Sequence, residues 1–291
     1  MRILVTGRNG QVARSLAERA GAAHELVFAD RPGFDLADAA TIERTVAEVR
    51  PDLIFSVAAY TAVDKAESEP ELAMAINGEG PGILARAASN FGAPIVHLST
   101  DYVFDGTATH PYNEEDPVAP LGVYGATKLA GERAIETSGA RYAILRTAWV
   151  YSPFGSNFVK TMLRLAGDRD ELNVVEDQRG CPTSALDIAD AMLRIAATWA
   201  AAPEKGIDSV YHLAGSGETD WAGFARATLA FSAAGGGPTA AVNGIPTSAY
   251  PTPARRPANS RLDSSRFAAT FGYCAPDWRE SLAPVVARLI A

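Results

Sequence analysis

Apolar runs and helix-patterned stretches alternate along the first half of the chain. Residues 2–6, 24–29, 52–58, 94–98 and 142–146 are short and apolar almost throughout, which predicts buried strands. Between them, 11–20, 39–49, 69–90 and 124–136 carry apolar positions at helical spacing, as Val12, Leu16 and Ala20 do on one face. Pro51 stops the second of these helices. Gly78, Gly80, Pro81 and Gly82 predict a bend or break in the third. Strands that are apolar on both faces and alternate with helices predict a parallel sheet covered on both sides. Right-handed crossovers then give a doubly wound α/β fold of the Rossmann type.

Beyond Tyr151 the alternation loosens. Residues 235–238 (Gly-Gly-Gly-Pro) form a flexible break, and 246–257 are rich in proline. The pattern predicts a dinucleotide-binding domain over 1–150 and a smaller C-terminal substrate-binding lobe over 151–291. The helix 184–198 and the strand 210–213 are expected to return to the main sheet. No internal repeat is visible.

Composition narrows the class. The 291 residues are 47% hydrophobic and 21% charged, an ordinary globular balance. The formal charge of −8, from 26 basic and 34 acidic residues, argues against nucleic acid or an anionic membrane as partner. A phosphorylated small ligand stays compatible, because helix N-termini and a few local cations suffice to bind it. Cys181 and Cys274 lack metal-type spacing, so neither a disulfide nor a metal site is expected. Met1 runs directly into Ile3-Leu4-Val5, and no apolar run approaches the roughly 20 residues of a membrane helix. The expectation is a cytoplasmic protein.

The chemistry is concentrated at strand ends. Gly7-Arg8-Asn9-Gly10-Gln11-Val12 lies between the first strand and the first helix, where glycines let the backbone approach a pyrophosphate. Ala13 takes the place of the usual third glycine. Asp30 follows Gly10 by 20 residues and ends the second strand, where a carboxylate accepts from the adenosine ribose. Tyr124 and Lys128 lie one helical turn apart on one face. A lysine there is expected to lower the phenol's pKa and ready it for proton transfer. Thr100, followed by Asp101 and Tyr102, ends the fourth strand, where an open parallel sheet binds its ligands. Alone, each feature is equally a turn, a cap or a surface pair; their order on the right elements makes them specific.

With these residues in view, the chain resembles the dTDP-4-dehydrorhamnose reductase family of extended short-chain dehydrogenases/reductases. The likeness runs through Gly7 to Val12, Thr61 to Glu67, Ser99 to Phe104, Val123 to Gly131, Arg146 to Tyr151 and Pro246 to Leu262. It implies reduction of the 4-keto group of a dTDP-linked sugar, with Tyr124 as proton donor, Lys128 as its partner and Thr100 on the keto oxygen. It further implies that Gly10, Gln11 and Val12 line the pyrophosphate. Asp35 and Leu36 would flank the adenine, and Ala58, Ala59 and Thr61 would follow the cofactor. Asp101, Tyr102, Trp149, Arg256, Asn259 and Arg261 are the expected substrate contacts. Some relatives are metal-bridged dimers using glutamates. Ser15 and Leu186 stand at two of those positions, which counts against magnesium; a weak homodimer is compatible with the resemblance.

Cofactor choice is balanced. Asp30 favours NADH by repelling a 2′-phosphate, whereas Arg8 and Arg31 favour NADPH. The expectation is that both work and NADPH is modestly preferred. The same resemblance leaves two alternatives, an epimerase or dehydratase of the same superfamily and a non-catalytic subunit like the regulatory subunit of methionine adenosyltransferase. A dehydratase should carry Asp-Glu where this chain has Asp101-Tyr102. The joint presence of Thr100, Tyr124 and Lys128 favours catalysis over a binding role.

Overall fold

A computed structural model describes residues 1–291. The N-terminal half comprises β1 (Arg2–Thr6), α1 (Gln11–Arg19), β2 (Glu25–Ala29), α2 (Ala39–Val49), β3 (Leu53–Ser56), the short helices α3 (Val63–Ala66) and α4 (Pro70–Met74), α5 (Gly80–Ser89), β4 (Ile95–Thr100), α6 (Val123–Glu136) and β5 (Tyr142–Thr147). The remainder comprises β6 (Val150–Tyr151), α7 (Phe158–Ala166), β7 (Glu171–Val175), β8 (Arg179–Gly180), β9 (Thr183–Ser184), α8 (Ala185–Ala201), β10 (Ser209–His212), β11 (Thr219–Asp220), α9 (Trp221–Ala234), β12 (Ala241–Ile245), β13 (Asn259–Ser260), α10 (Ser265–Phe271) and α11 (Trp278–Ile290).

Six strands form one all-parallel sheet in the order β10-β5-β4-β3-β1-β2. Alternate residues of each strand feed opposite cores, which is why the strands read as continuously apolar. Ile3, Val5, Leu53, Phe55, Val96 and Leu145 pack under α1, α8 and α10. Leu4, Ile54, Ile95 and Ile144 pack under α2, α5 and α6. The strand order reverses between β1 and β3, and a doubly wound sheet opens its binding crevice at the carboxyl ends of the strands at such a point.

Two departures from the sequence pattern shape that crevice. The strand expected over 52–58 stops at Ser56, because the amides of Val57 and Ala58 both donate to Thr6 Oγ1, at 2.9 and 3.0 Å. The chain thus leaves the sheet at the crevice floor. The bend expected in 69–90 is a single π turn, Ala75–Glu79, joining α4 to α5 without a break. The widened turn carries buried Asn77, whose amide brackets Tyr60 through its N–H and its carbonyl.

In the second half, β10 pairs with β5 in parallel, Val210 opposite Ile144, and α8 packs against α1. A separate core unites α7, α9 and α11 with the two-stranded β12-β7 sheet. No helix is long and apolar enough to cross a membrane.

Candidate active site

The β1–α1 connection turns at Gly7, where φ is +79° and a side chain would press on Ala58 at 3.3 Å. α1 starts behind Gly10, with no side-chain cap and no acid in its first turn. Its leading amides and positive end are therefore open to an anion. Gln11 sends its side chain to the second half of the protein, its amide oxygen accepting from Ser152 Oγ at 2.8 Å and Asn157 Nδ2 at 2.9 Å. Beside it, Ser15 is buried and bonds back to the Gln11 carbonyl.

A cavity of about 760 Å³ extends from this turn. Gly7, Arg8, Gly10, Gln11, Val12, Asp30, Arg31, Ala58, Ala59, Thr61, Tyr124 and Lys128 all border it. Asp35 and Leu36 line an adjoining recess of about 120 Å³ that shares Asp30, Ala58 and Ala59 with the larger cavity. Asp30 is oriented by Asn9 Nδ2 at 3.2 Å and by the Arg31 amide at 2.9 Å. Arg8 and Arg31 reach the same space, and neither forms an ion pair. The hydroxyls of Ser99 and Thr147, also on the wall, are buried without any protein partner. Buried hydroxyls are normally paired. These orphans, the bare helix end and the Asp30 carboxylate together fit a pyrophosphate-linked dinucleotide.

The sequence places Tyr124 and Lys128 on the first turns of α6. That helix begins where the Val123 amide donates to Glu67 Oε1 at 2.9 Å. Gly125 lets the first turn close on the Tyr102 carbonyl, which a β-carbon would strike. Burial pushes the Tyr124 phenol well above its usual range, and the nearby Thr100 hydroxyl pulls the other way without prevailing. Lys128 is brought down to about 8 by burial, opposed by Glu132 one turn on. Its ammonium donates to the Leu98 carbonyl at 2.6 Å and to His97 Nε2 at 3.0 Å. No hydrogen bond joins it to Tyr124. The expected lowering of the phenol by this lysine is therefore corrected: desolvation dominates, and Tyr124 holds its proton at neutral pH.

Thr100 donates to Asp101 Oδ1 at 3.0 Å and accepts from the Tyr102 amide at 3.2 Å. Asp101 is buried and raised to about 6, desolvation outweighing the hydroxyls of Ser260 and Thr100. Tyr102 meets the Tyr124 ring edge-on at 5.5 Å. Its hydroxyl accepts from Arg256 Nη1 at 3.3 Å, and Arg256 Nη2 bonds Asp64 at 2.8 Å. Arg256 in turn borders a second cavity of about 370 Å³, lined also by Phe158, Gln178, Trp221 and Tyr250. A continuous path thus runs from Tyr124 through Tyr102 and Arg256 to that cavity.

Of the expected substrate contacts only Arg256 borders either cavity; Thr100, Asp101 and Tyr102 lie behind Tyr124 and Arg256, and three others are engaged with protein. Trp149 stacks on Trp221, ring centroids 3.6 Å apart. Asn259 gives both amide hydrogens to the carbonyls of Ala108 and His110, and its oxygen accepts from Arg261. Arg261 also donates through Nη1 to Glu218 at 2.8 Å and through Nη2 to the Thr109 carbonyl at 2.7 Å. Both residues wire loops together through these bonds, so their side chains are engaged with protein rather than open to a ligand. Sequence reading missed Trp221, Gln178, Tyr250 and His97. For His97 a signal existed: an imidazole, like the hydroxyl of Ser56, interrupts an otherwise apolar buried strand.

Comparison with known proteins agrees with this geometry. Residues 1–290 match the family described as the RmlD substrate binding domain. A dTDP-4-dehydrorhamnose reductase of Sinorhizobium fredii is 49% identical over 290 residues, covering 100% of this chain and 98% of that one. Its counterpart from Escherichia coli K12 is 44% identical over 285 residues, 96% of this chain and 95% of that one. The crystal structure of the Bacillus anthracis dTDP-4-dehydrorhamnose reductase, in complex with NADP, superposes with a TM-score of 0.90 at 33% identity, over 98% of each chain. With a cleft that fits a dinucleotide, a tyrosine at its end and likeness along its whole length, the chain belongs to the dTDP-4-dehydrorhamnose reductase family.

Proposed function

We propose that this protein reduces the 4-keto group of dTDP-4-dehydro-L-rhamnose with NADPH, giving dTDP-L-rhamnose. The observation that carries the reading is the placement of Tyr124, one turn before Lys128 and beside Thr100, at the far end of a cleft that starts at a bare helix N-terminus. NADPH, when bound, supplies the hydride. The chain supplies the rest. Gly7, Gly10 and the first amides of α1 take the pyrophosphate, and Asp30, Arg8 and Arg31 surround the adenosine ribose. Asp35 and Leu36 border the adenine, and Ala58, Ala59 and Thr61 guide the remainder. Lys128 offers the ammonium hydrogen left free by Leu98 and His97 to the nicotinamide ribose. Thr100, whose single O–H is otherwise donated to Asp101, would turn that hydrogen to the keto oxygen, and Tyr124 gives its proton to the alkoxide that forms there.

In this reading residues 1–150 hold the cofactor. The lobe within 151–291, less α8 and β10, holds the nucleotide sugar. Arg256 is given the diphosphate in this reading, because its guanidinium, held by Asp64 on one side, joins Tyr102 to the edge of the second cavity. Trp221 and Tyr250 wall that cavity, and Trp149 supports Trp221 from behind. NADPH oxidation measured across a panel of dTDP-4-keto sugars tests the substrate directly. Turnover with the rhamnose precursor above its epimers is the expected result; indifference to the sugar would remove the assignment.

A further inference from the structure

We propose that His97 and Ser56 form a positioning device for Lys128, fixing where its ammonium points and sustaining its charge; the inference rests on the reductase reading above. An ammonium has three hydrogens and no acceptor. One goes to the Leu98 carbonyl at 2.6 Å and a second to His97 Nε2 at 3.0 Å. Nε2 must therefore present its lone pair. The ring hydrogen then sits on Nδ1, which lies 2.9 Å from Ser56 Oγ and donates to it. Ser56 and His97 are register partners on β3 and β4, so the sheet itself sets their spacing.

His97 stays neutral, held well below the ordinary imidazole range by burial and by the charge of Lys128. Ser56 and His97 are both 0% exposed. The chain of bonds ends in the core and leads to no solvent, so it does not deliver protons. It holds the lysine. Two of the three ammonium directions are fixed by protein, and one remains for the cleft that Lys128 borders. The other ionisable groups around Lys128 are Tyr124 one turn earlier and Glu132 one turn later on α6. Glu132 is itself paired with Arg146 of β5 at 2.7 Å. His97 is the only one of these that accepts a hydrogen bond from the ammonium.

Removing that acceptor leaves a buried ammonium short of a partner, which favours its neutral form. The test uses His97→Leu, His97→Gln and Ser56→Ala in the full-length protein. The readouts are the pH dependence of kcat/KM and NADPH affinity by fluorescence titration. His97→Leu should move the basic limb about one pH unit lower and weaken NADPH about tenfold. His97→Gln, whose amide oxygen can accept from Lys128, should recover most of both. Ser56→Ala should give a smaller shift in the same direction, since the ring is then free to turn an N–H toward the ammonium. An unmoved limb in His97→Leu overturns the proposal, as do equal losses in the Leu and Gln variants with no limb shift. Should the Leu variant not fold, Ser56→Ala decides, and a wild-type limb there contradicts the proposal. If wild type itself fails to turn over, the reductase reading falls, while the NADPH affinities still decide the role of His97.

Discussion

The ammonium of Lys128 lies 2.6 Å from the carbonyl of Leu98, and no hydrogen bond joins it to the Tyr124 phenol one turn earlier. In the proposed reading the two residues accordingly carry separate duties, the lysine toward the cofactor and the tyrosine as proton donor.

Lys128→Met should lower kcat and NADPH affinity together. In the proposed reading the ammonium donates to the cofactor ribose, and its loss also leaves the Leu98 carbonyl and His97 Nε2 without this donor. An affinity loss of about tenfold or more is expected, since hydrogen bonds to charged groups contribute about 1.5–3 kcal/mol. Titration of NADPH fluorescence checks this. Unchanged affinity would place the ribose elsewhere.

The arginines of the 246–262 run should separate by readout. Arg256→Ala is expected to raise KM for the sugar nucleotide with little effect on that for NADPH. Arg261→Ala is expected to cost roughly 1–3 kcal/mol of stability, because the Thr109 carbonyl loses its guanidinium donor, Glu218 keeps only Arg179, and Asn259 Oδ1 keeps only the backbone N–H of residue 261. Denaturant melts and saturation curves on both variants make the comparison. A KM effect from Arg261→Ala without destabilisation would restore it to the substrate site.

These two arginines also show what the sequence could carry. A proline-rich basic run is legible as a loop, but its residue types do not say whether a guanidinium faces phosphate or a carboxylate. Glu218, the partner of Arg261, lies in a distant segment. The main sheet was legible because both faces of β1, β3, β4 and β5 are buried, leaving runs that are apolar at every position. Tyr124 and Lys128 were legible because helical spacing puts them on one face. The pair β8–β13 left no such trace, each strand being two residues long and joined only through long-range register, while β7 alternates buried Leu172 and Val174 with exposed Glu171 and Asn173 but finds its partner β12 far along the chain.

Cofactor preference should follow the charges around Asp30. Arg8→Ala combined with Arg31→Ala is expected to shift the kcat/KM ratio toward NADH, and Asp30→Ala toward NADPH. Exposed charge pairs contribute under about 1 kcal/mol each, so shifts of several-fold are expected rather than a complete switch. Ratios for both cofactors at one ionic strength give the answer. An unchanged ratio in the double variant would show that neither arginine reaches the 2′ position.

Asp101 gives a pH signature. Its carboxyl is raised from the ordinary 3.8 to about 6, so the folded state holds a proton that the unfolded chain releases earlier. The stability this proton confers is complete below about pH 4 and lost as pH rises through about 6. Asp101→Asn removes that loss. Relative to wild type, its Tm should gain on the order of a few °C between pH 4 and pH 7 and then run parallel. Parallel curves across the whole range would mean that Asp101 ionises normally.

The most direct test of the account is NADPH oxidation with dTDP-4-dehydro-L-rhamnose by wild type and Tyr124→Phe, alongside NADPH affinity for both. The account predicts wild-type turnover and a loss of about 10²–10⁴-fold in kcat for the variant, the range typical of general acid catalysis, with NADPH affinity preserved. No turnover by wild type, or a variant as fast as wild type, would contradict it.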